Sequence, residues 1–233
     1  MSVVTAVTAQ DTRRVYMSSD LPLENIQRQI EAVAEDIGVD AMKTGMLPSA
    51  EVIRLVAEKV THFGIRRIVV DPVMVSTGGD RLIRDEALEA MKTELFPLAT
   101  VVTPNLPEAE FLVGREIAGK QDLAEAAQEI FELGSRAVII KGGHLEDPGH
   151  STDYLYDGKD LTSLVGPRLD SRNTHGSGCT FASAITAYLA RGLDLKDAAR
   201  RAKGFVTEAI RHSLSLGHGP GPLGHFWKYW EDQ

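Results

Sequence analysis

Apolar residues along the chain follow two alternating patterns. Short continuous runs, rich in Val and Ile, predict buried strands, and these runs occupy residues 2–8, 40–43, 65–70, 99–103 and 137–140. A further extended segment is predicted at 14–18. Between the later runs, apolar residues three and four positions apart predict amphipathic helices, which occupy residues 26–37, 50–63, 85–95, 106–113 and 122–133. The regular alternation of strand and helix predicts an α/β protein.

Continuous apolar strands separated by helices are typical of a mostly parallel sheet with helices on both faces and right-handed crossovers. The pattern changes after residue 143, because residues 153–156 and 161–165 flank an Asp157-Gly158 turn and predict an antiparallel hairpin at one edge. Two more helices are predicted at 181–190 and 195–214. There are no repeats or linkers, so residues 1–233 are predicted to form one domain.

Composition narrows the class of protein. With 233 residues, 43% of them hydrophobic, the chain can bury the core of one large domain. Its net charge of −8 argues against nucleic acid or an anionic membrane as the main partner. The single cysteine excludes an intrachain disulfide framework, and no leader-like start or apolar run long enough to span a membrane is present. We therefore expect a soluble, cytoplasmic protein.

Polar residues follow the predicted strands at the point where each one ends. They are Lys43-Thr44-Gly45, Asp71, Asn105 with Glu108, and Lys141-Gly142-Gly143. In open α/β sheets a ligand binds at the carboxyl ends of the strands, so these residues are predicted to line a site. Each also has a purely structural explanation: Asn105 and Glu108 have capping-box spacing, Asp71 precedes a proline in a turn, and Lys141 suits a surface position.

The best functional clue is the stretch 173–180, where a glycine-rich turn runs into a helix of small apolar residues. Gly176 and Gly178 let backbone N–H groups converge, and the helix dipole adds positive potential, which together favour an anion. Cys179 lies in the first helical turn, where a lowered thiol pKa would make it a base or nucleophile. The alternative is a tight connection with Cys179 as a small buried hydrophobe. His175 invites a cysteine-hydrolase interpretation, but no residue is identified that would orient it.

Histidine and cysteine spacing disfavours a zinc site. The seven histidines are scattered, and neither an HExxH nor a CxxC motif occurs. An oxygen-ligated Mg²⁺ is the one metal that the sequence suggests.

Six motifs in order carry a resemblance to a known family. They are VVTAVTAQ (3–10), KTGML (43–47), DPVM (71–74), TPNLPEA (103–109), KGGH (141–144) and HGSGCT (175–180). Together they resemble bacterial hydroxymethylpyrimidine/phosphomethylpyrimidine kinase, a thiamine-biosynthetic member of the ribokinase superfamily. The resemblance implies a ribokinase-like three-layer sandwich, often a homodimer. It also implies ATP-dependent phosphorylation of 4-amino-5-hydroxymethyl-2-methylpyrimidine and then of its monophosphate.

The resemblance also assigns roles to particular residues. The backbone of Gly176, Ser177 and Gly178 would form an anion hole, with Cys179 as the base or hydroxyl-orienting group. ATP would be bound by Lys141, Asn105 and Thr174, and Mg²⁺ by Asp71 and Glu108 with help from Asn105 through water. Gln10 and Met46 would contact the pyrimidine, through an amide and a polarizable thioether.

One departure from the family concerns the start of the chain. The family opens with a strand and a glycine-rich turn that contacts substrate, and neither precedes Met1 here. The expectation is weaker stability and poor affinity for the pyrimidine, with ATP binding kept. Pyridoxine or pyridoxal kinase, and a catalytically impaired pyrimidine-binding homologue, are the alternative functions.

Overall fold

The computed structural model describes residues 1–74, 83–143 and 149–229. The strands of this part, numbered along the chain, are β1 (Ala6–Gln10), β2 (Val15–Asp20), β3 (Met42–Thr44), β4 (Ile68–Val70), β5 (Val101–Val102), β6 (Val138–Ile140), β7 (His150–Tyr156) and β8 (Leu161–Pro167). Strands β3 to β8 form one sheet in sequence order. Pairing is parallel from β3 to β6 and antiparallel for β7 and β8, which confirms the predicted parallel sheet and edge hairpin.

Helices precede, separate and follow the strands of this sheet. In the described residues they are α1 (Leu23–Asp36), α2 (Ala50–His62), α3 (Asp85–Ala90), α4 (Leu106–Val113), α5 (Lys120–Phe131), α6 (Ser177–Ala190) and α7 (Leu195–Arg211). Helix α3 continues into a π-helical turn at Met91–Leu95 and a 3₁₀ turn at Phe96–Leu98. The Ser49 side chain accepts the Val52 N–H and caps the start of α2. The last long helix is shorter than the predicted 195–214, because it ends at Arg211.

The helices lie in two layers, one on each face of the sheet. Alternate strand residues point to opposite faces, so Val70 packs with the core of α2 to α5, whereas Val69 packs with Phe181 of α6 and Ala202 of α7. The result is the three-layer sandwich that the sequence predicted. The carboxyl ends of β3 to β6 and the first turn of α6 meet at one edge.

The prediction of a buried strand at residues 2–8 is wrong. Strand β1 begins only at Ala6, is largely exposed, and pairs with β2 in a separate two-stranded sheet. The cause is local, since Asp11 accepts the N–H groups of Arg13 and Arg14 and turns the chain back on itself.

The hairpin of β1 and β2 is held at both ends. At its base the Thr5 hydroxyl donates to the Met46 carbonyl at 2.9 Å. At its tip the Thr12 hydroxyl oxygen accepts the N–H groups of His218 and Gly219, at 3.2 and 3.0 Å. A Cβ atom on Gly219 would lie 1.9 Å from the Thr12 carbonyl oxygen, so this close approach requires glycine.

Candidate active site

Lys141 is the centre of the polar cluster at the strand ends. It follows β6, and its Nζ lies 2.8 Å from Asp71 Oδ1 and 4.0 Å from Glu108 Oε2. All three side chains are buried. Burial alone would lower the pKa of Lys141, yet the two carboxylates raise it overall, so the ammonium stays charged. The structure therefore brings together three residues that the sequence placed in separate motifs.

Asn105 and Glu108 form the capping box that the sequence offered as their structural explanation. The Asn105 side chain accepts the Glu108 N–H, and the Glu108 carboxylate accepts the Asn105 N–H, both at 2.8 Å. Burial raises the pKa of Glu108, and Lys141 opposes that rise. The capping box and the contact with Lys141 coexist, because the cap orients the Glu108 carboxylate toward the strand ends.

The glycine-rich turn presents free backbone donors. Gly176 has φ +80°, a conformation that favours glycine, and it places α6 directly after the turn. The Ser177 N–H donates to the Thr174 carbonyl at 3.1 Å, so it is used within the turn. Within the described residues, the N–H groups of Gly176, Gly178 and Cys179 have no acceptor. Two of the three predicted donors are thus available to an anion, and the Cys179 N–H is a third that the sequence missed.

The Lys141 ammonium and the glycine-rich turn lie next to each other and face the same position. The Lys141 ammonium lies 3.0 Å from the position that a Cβ on Gly178 would occupy. A cation, unpaired N–H groups and the positive end of α6 converge there, which is an arrangement suited to a phosphate.

The predicted lowering of the Cys179 pKa is wrong. The thiol is exposed to the site on one side, but burial by the protein on its other sides raises its pKa, and Asp71 raises it further. Lys43 and Lys141 oppose the rise without reversing it. Cys179 is therefore a neutral thiol near pH 7, because burial of the thiol and, after it, the Asp71 carboxylate outweigh the neighbouring positive charges.

A cleft of about 330 Å³ lies beside Lys141. The predicted nucleotide residues Asn105, Lys141 and Thr174 all line it, together with Ser177 and Gly178. The other walls come from β7, α6, α7 and the residue after β8, and they include Asp153, Arg168, Phe181, Lys203, Val206, Thr207 and Ile210. The cleft thus lies on one side of the phosphate position, and Cys179 is not among its lining residues.

Sequence reasoning missed a buried ion pair in this wall. Lys203 Nζ of α7 lies 2.8 Å from Asp153 Oδ2 of β7, and Asp153 Oδ1 accepts the Gly142 N–H at 3.1 Å. A Cβ on Gly142 would lie 2.1 Å from the Thr152 carbonyl oxygen, which explains the glycine. The available signal was Asp153, the one charged residue of the predicted strand 153–156. The network fixes the segment next to Lys141.

Gln10 and Met46 are the residues predicted to contact the pyrimidine. They lie near opposite ends of strand β1. Met46 contacts Thr5 at the base, whereas Gln10 ends β1 near the tip. Five residues of strand span about 17 Å at ~3.3 Å each. The structure does not bring these two backbone positions together, and their role stays a prediction. His144 of the KGGH motif lies outside the described residues.

The acidic residues fit a Mg²⁺ ion that arrives with a nucleotide better than a resident metal. In the described ranges no group of three or more His, Cys, Asp or Glu side chains is placed to hold a metal. Asp71 and Glu108 are two carboxylates beside the phosphate position, and each is already paired. Mg²⁺ commonly uses one or two carboxylates with substrate phosphates and water, which is compatible with this pair.

Comparison with known proteins agrees with this geometry. The phosphomethylpyrimidine kinase family model matches residues 1–224. The chain is 45% identical over 226 residues to hydroxymethylpyrimidine/phosphomethylpyrimidine kinase of Bacillus subtilis, covering 97% of this chain and 83% of that protein. The kinase of the same name from Rhizobium meliloti is 45% identical over 234 residues, covering 99% and 87%.

Solved structures share the fold. An ADP complex of Bacillus subtilis pyridoxal kinase matches with a TM-score of 0.88 and 38% identity, covering 97% of this chain and 85% of that one. Phosphomethylpyrimidine kinase from Clostridium difficile matches with a TM-score of 0.78 and 41% identity, covering 90% and 86%. No helix in the described residues is long and apolar enough to cross a membrane.

The ribokinase-like sandwich and the phosphate position at α6 define an ATP-dependent phosphotransferase. More particularly, the chain belongs to the phosphomethylpyrimidine kinase family, whose members act in thiamine biosynthesis.

Proposed function

We propose that this kinase transfers a phosphoryl group from ATP to the hydroxyl of 4-amino-5-hydroxymethyl-2-methylpyrimidine, and then to the resulting monophosphate. The observation that carries the proposal is the position of Lys141, which is paired with Asp71 and packed on Gly178 at the start of α6. Phosphoryl transfer depends mainly on positioning and charge neutralisation, and this arrangement offers both. The pyrimidine itself is suggested by the names of the relatives.

The two substrates approach the phosphate position from opposite sides. ATP occupies the cleft, where Asn105, Lys141 and Thr174 contact its phosphates. The N–H groups of Gly176, Gly178 and Cys179 bind the transferring phosphoryl group. The pyrimidine lies on the Cys179 side, with Gln10 and Met46 as its predicted contacts.

Cys179 orients the substrate hydroxyl rather than removing its proton early. A raised thiol pKa leaves little thiolate at neutral pH. In a loose transition state the attacking oxygen forms little bond to phosphorus before the leaving group departs, so a strong base is not required. A neutral thiol that hydrogen-bonds the hydroxyl is therefore sufficient for the first step.

Mg²⁺ accompanies ATP in this proposal. When bound, the ion neutralises phosphate charge, and Asp71 and Glu108 hold it through water. The Lys141 ammonium, 2.8 Å from Asp71 Oδ1 and 4.0 Å from Glu108 Oε2, would hold both carboxyl groups in place for this role.

A parallel assay with two alcohols tests the proposal. Purified protein is given ATP with hydroxymethylpyrimidine, with its monophosphate, or with pyridoxal, and ADP release is measured against a Lys141→Met control. Turnover of both pyrimidines well above that of pyridoxal supports the proposal. A preference for pyridoxal would favour the alternative that the pyridoxal kinase structures suggest, and no turnover at all would favour the impaired homologue.

The assembly belongs to the same proposal. Val7, Tyr16 and Met17 of the hairpin are more than half exposed, and a homodimer that covers them would remove this apolar surface from water. We place the enzyme in the cytoplasm, as its composition led us to expect.

A further inference from the structure

Lys43 is a second cation near the start of α6. It is the middle residue of β3, and its register partner in β4 is Val69. Val69 packs against Phe181 and Ala182 of α6. Because paired residues of neighbouring strands point to the same face, Lys43 extends on the α6 side of the sheet.

The Lys43 ammonium lies over Gly45 and, within the described residues, has no ion-pair partner. It lies 2.7 Å from the position that a Cβ on Gly45 would occupy, so it folds over the glycine directly after β3. Its side chain is half-buried, and within the described residues it makes neither an ion pair nor a hydrogen bond. Lys141, by contrast, is paired with Asp71 at 2.8 Å and lies 4.0 Å from Glu108. A half-buried cation without a partner is suited to an anionic ligand.

The two lysines come from well-separated strands of the sheet. Strands β3 and β6 are three steps apart in the sheet, about 14 Å at ~4.8 Å a step. Both ammonium groups act on the Cys179 thiol, lowering its pKa against the larger opposing effects. Lys141 lines the cleft and Lys43 does not. Lys43 therefore belongs to the side where the phosphoryl acceptor binds.

The two phosphorylations differ in the charge of the acceptor. In the first, the acceptor is a neutral alcohol. In the second, an oxygen of the monophosphate attacks the γ-phosphorus of ATP, and the bond to the β-phosphate oxygen breaks with its electron pair leaving on ADP. The attacking phosphate is already ionised, so no proton has to be removed, but its negative charge must be bound. Lys141 is assigned above to the phosphates of ATP, so a separate cation is needed for the phosphate of the acceptor.

We propose that Lys43 binds the phosphate of the pyrimidine monophosphate and so makes the second phosphorylation possible. This inference rests on the two-step activity proposed above. A charge-assisted contact of this kind would change the second step about 10- to 100-fold. The acceptor of the first step carries no phosphate. Loss of Lys43 would therefore slow only the second of the two phosphorylations that this site catalyses.

The test measures kcat/KM separately for hydroxymethylpyrimidine and for its monophosphate. In Lys43→Met, the ratio of monophosphate to alcohol kcat/KM should fall about 10- to 100-fold. A reaction started from the alcohol should then accumulate monophosphate. Lys43→Arg should restore much of the ratio because it keeps the charge. Lys159→Met, in the exposed turn between β7 and β8, is the matched control and should leave the ratio unchanged.

A second variant tests the geometry without removing the charge. In Gly45→Ala the new methyl group would lie within 2.7 Å of the ammonium, which must move aside. The ratio should fall in this variant too, by less than in Lys43→Met. An equal loss in both steps, or an unchanged ratio in Lys43→Met, would overturn the inference. A wild-type enzyme that cannot use the monophosphate would overturn the proposed two-step function and the inference with it.

Discussion

Cys179 has a pH signature that separates its two possible roles. If the thiolate were the base, kcat would rise about tenfold per pH unit between about pH 7 and 8.5, because the thiol pKa is raised. We expect instead a nearly flat profile over this range. Cys179→Ser, which keeps a hydrogen-bonding group, should retain more activity than Cys179→Ala.

The size of the Cys179→Ala effect is the second readout. We expect kcat to fall about 10- to 100-fold, the contribution of one orienting contact in a transition state, with little change in KM for ATP. Steady-state kinetics with hydroxymethylpyrimidine measure both constants. Full activity in Cys179→Ala would mean that the residue only fills space.

Lys141 couples the chemistry of the site to its stability. Lys141→Met leaves Asp71 and Glu108 as buried carboxylates without their cation, which costs about 3–5 kcal/mol of unfolding free energy. It should also raise the KM for ATP at least about tenfold, because a charged contact with phosphate is lost. Urea unfolding and ATP titration measure the two effects.

A double variant separates these two effects of Lys141. Adding Asp71→Asn to Lys141→Met removes one of the stranded charges, so stability should partly recover. Recovery of ATP affinity in the same variant would contradict a direct contact between Lys141 and the nucleotide.

At the scale of secondary-structure elements, the capping role of Glu108 at the start of α4 can be tested separately from the negative charge of its side chain. Gln also closes a capping box, so Glu108→Gln should leave the unfolding free energy within about 1 kcal/mol of wild type. The Mg²⁺ concentration for half-maximal activity should rise several-fold, since one carboxylate is lost. An unchanged Mg²⁺ dependence would leave Glu108 with its capping role alone.

The pairing of α1 with α2 predicts a pH dependence of stability. Glu31 and Lys59 join the two helices at 2.7 Å, and this bond, with a second from Gln27, lowers the pKa of Glu31 from 4.5 to about 2. A lowered pKa means that the stabilisation is fully present above pH 4.5 and is lost as pH falls toward 2. Glu31→Gln should flatten the acid limb of urea-unfolding stability. Glu94→Gln, in a more exposed ion pair with Arg54, is the control and should change it less.

The elements themselves were largely predictable from the sequence, because their signals are local. Ser49 and Asn105 cap α2 and α4, and Gly38 and Gly114 adopt the positive φ that ends α1 and α4. The placement of β1 was not predictable, since an apolar strand can pair with any available edge. The same holds for the site: the motifs were identified, but the raised pKa of Cys179 and the Lys203–Asp153 pair depend on neighbours distant in sequence.

At the scale of the whole molecule, the exposed hairpin predicts the assembly. Met17 and Tyr16 are 61% and 54% exposed, so Met17→Glu at a dimer interface would bury a charge and dissociate the dimer. Sedimentation at several concentrations should give a dimer for wild type and a monomer for Met17→Glu. Ile37→Glu, at an apolar residue 60% exposed after α1, should stay dimeric. A monomeric wild type would show that the hairpin is not a dimer interface.

The contact between Thr12 and residues 218–219 also determines when the hairpin tip can dock during synthesis of the chain. A ribosome makes the hairpin about two hundred residues before the backbone donors that hold its tip. The base of the hairpin can bind the Met46 segment early, whereas the tip gains its hydrogen bonds only after residues 218–219 have emerged. Bringing together residues so far apart in sequence costs conformational entropy, and this cost slows formation of the contact. Docking of the hairpin tip is therefore expected among the last steps of folding, after the sheet and its helices have formed.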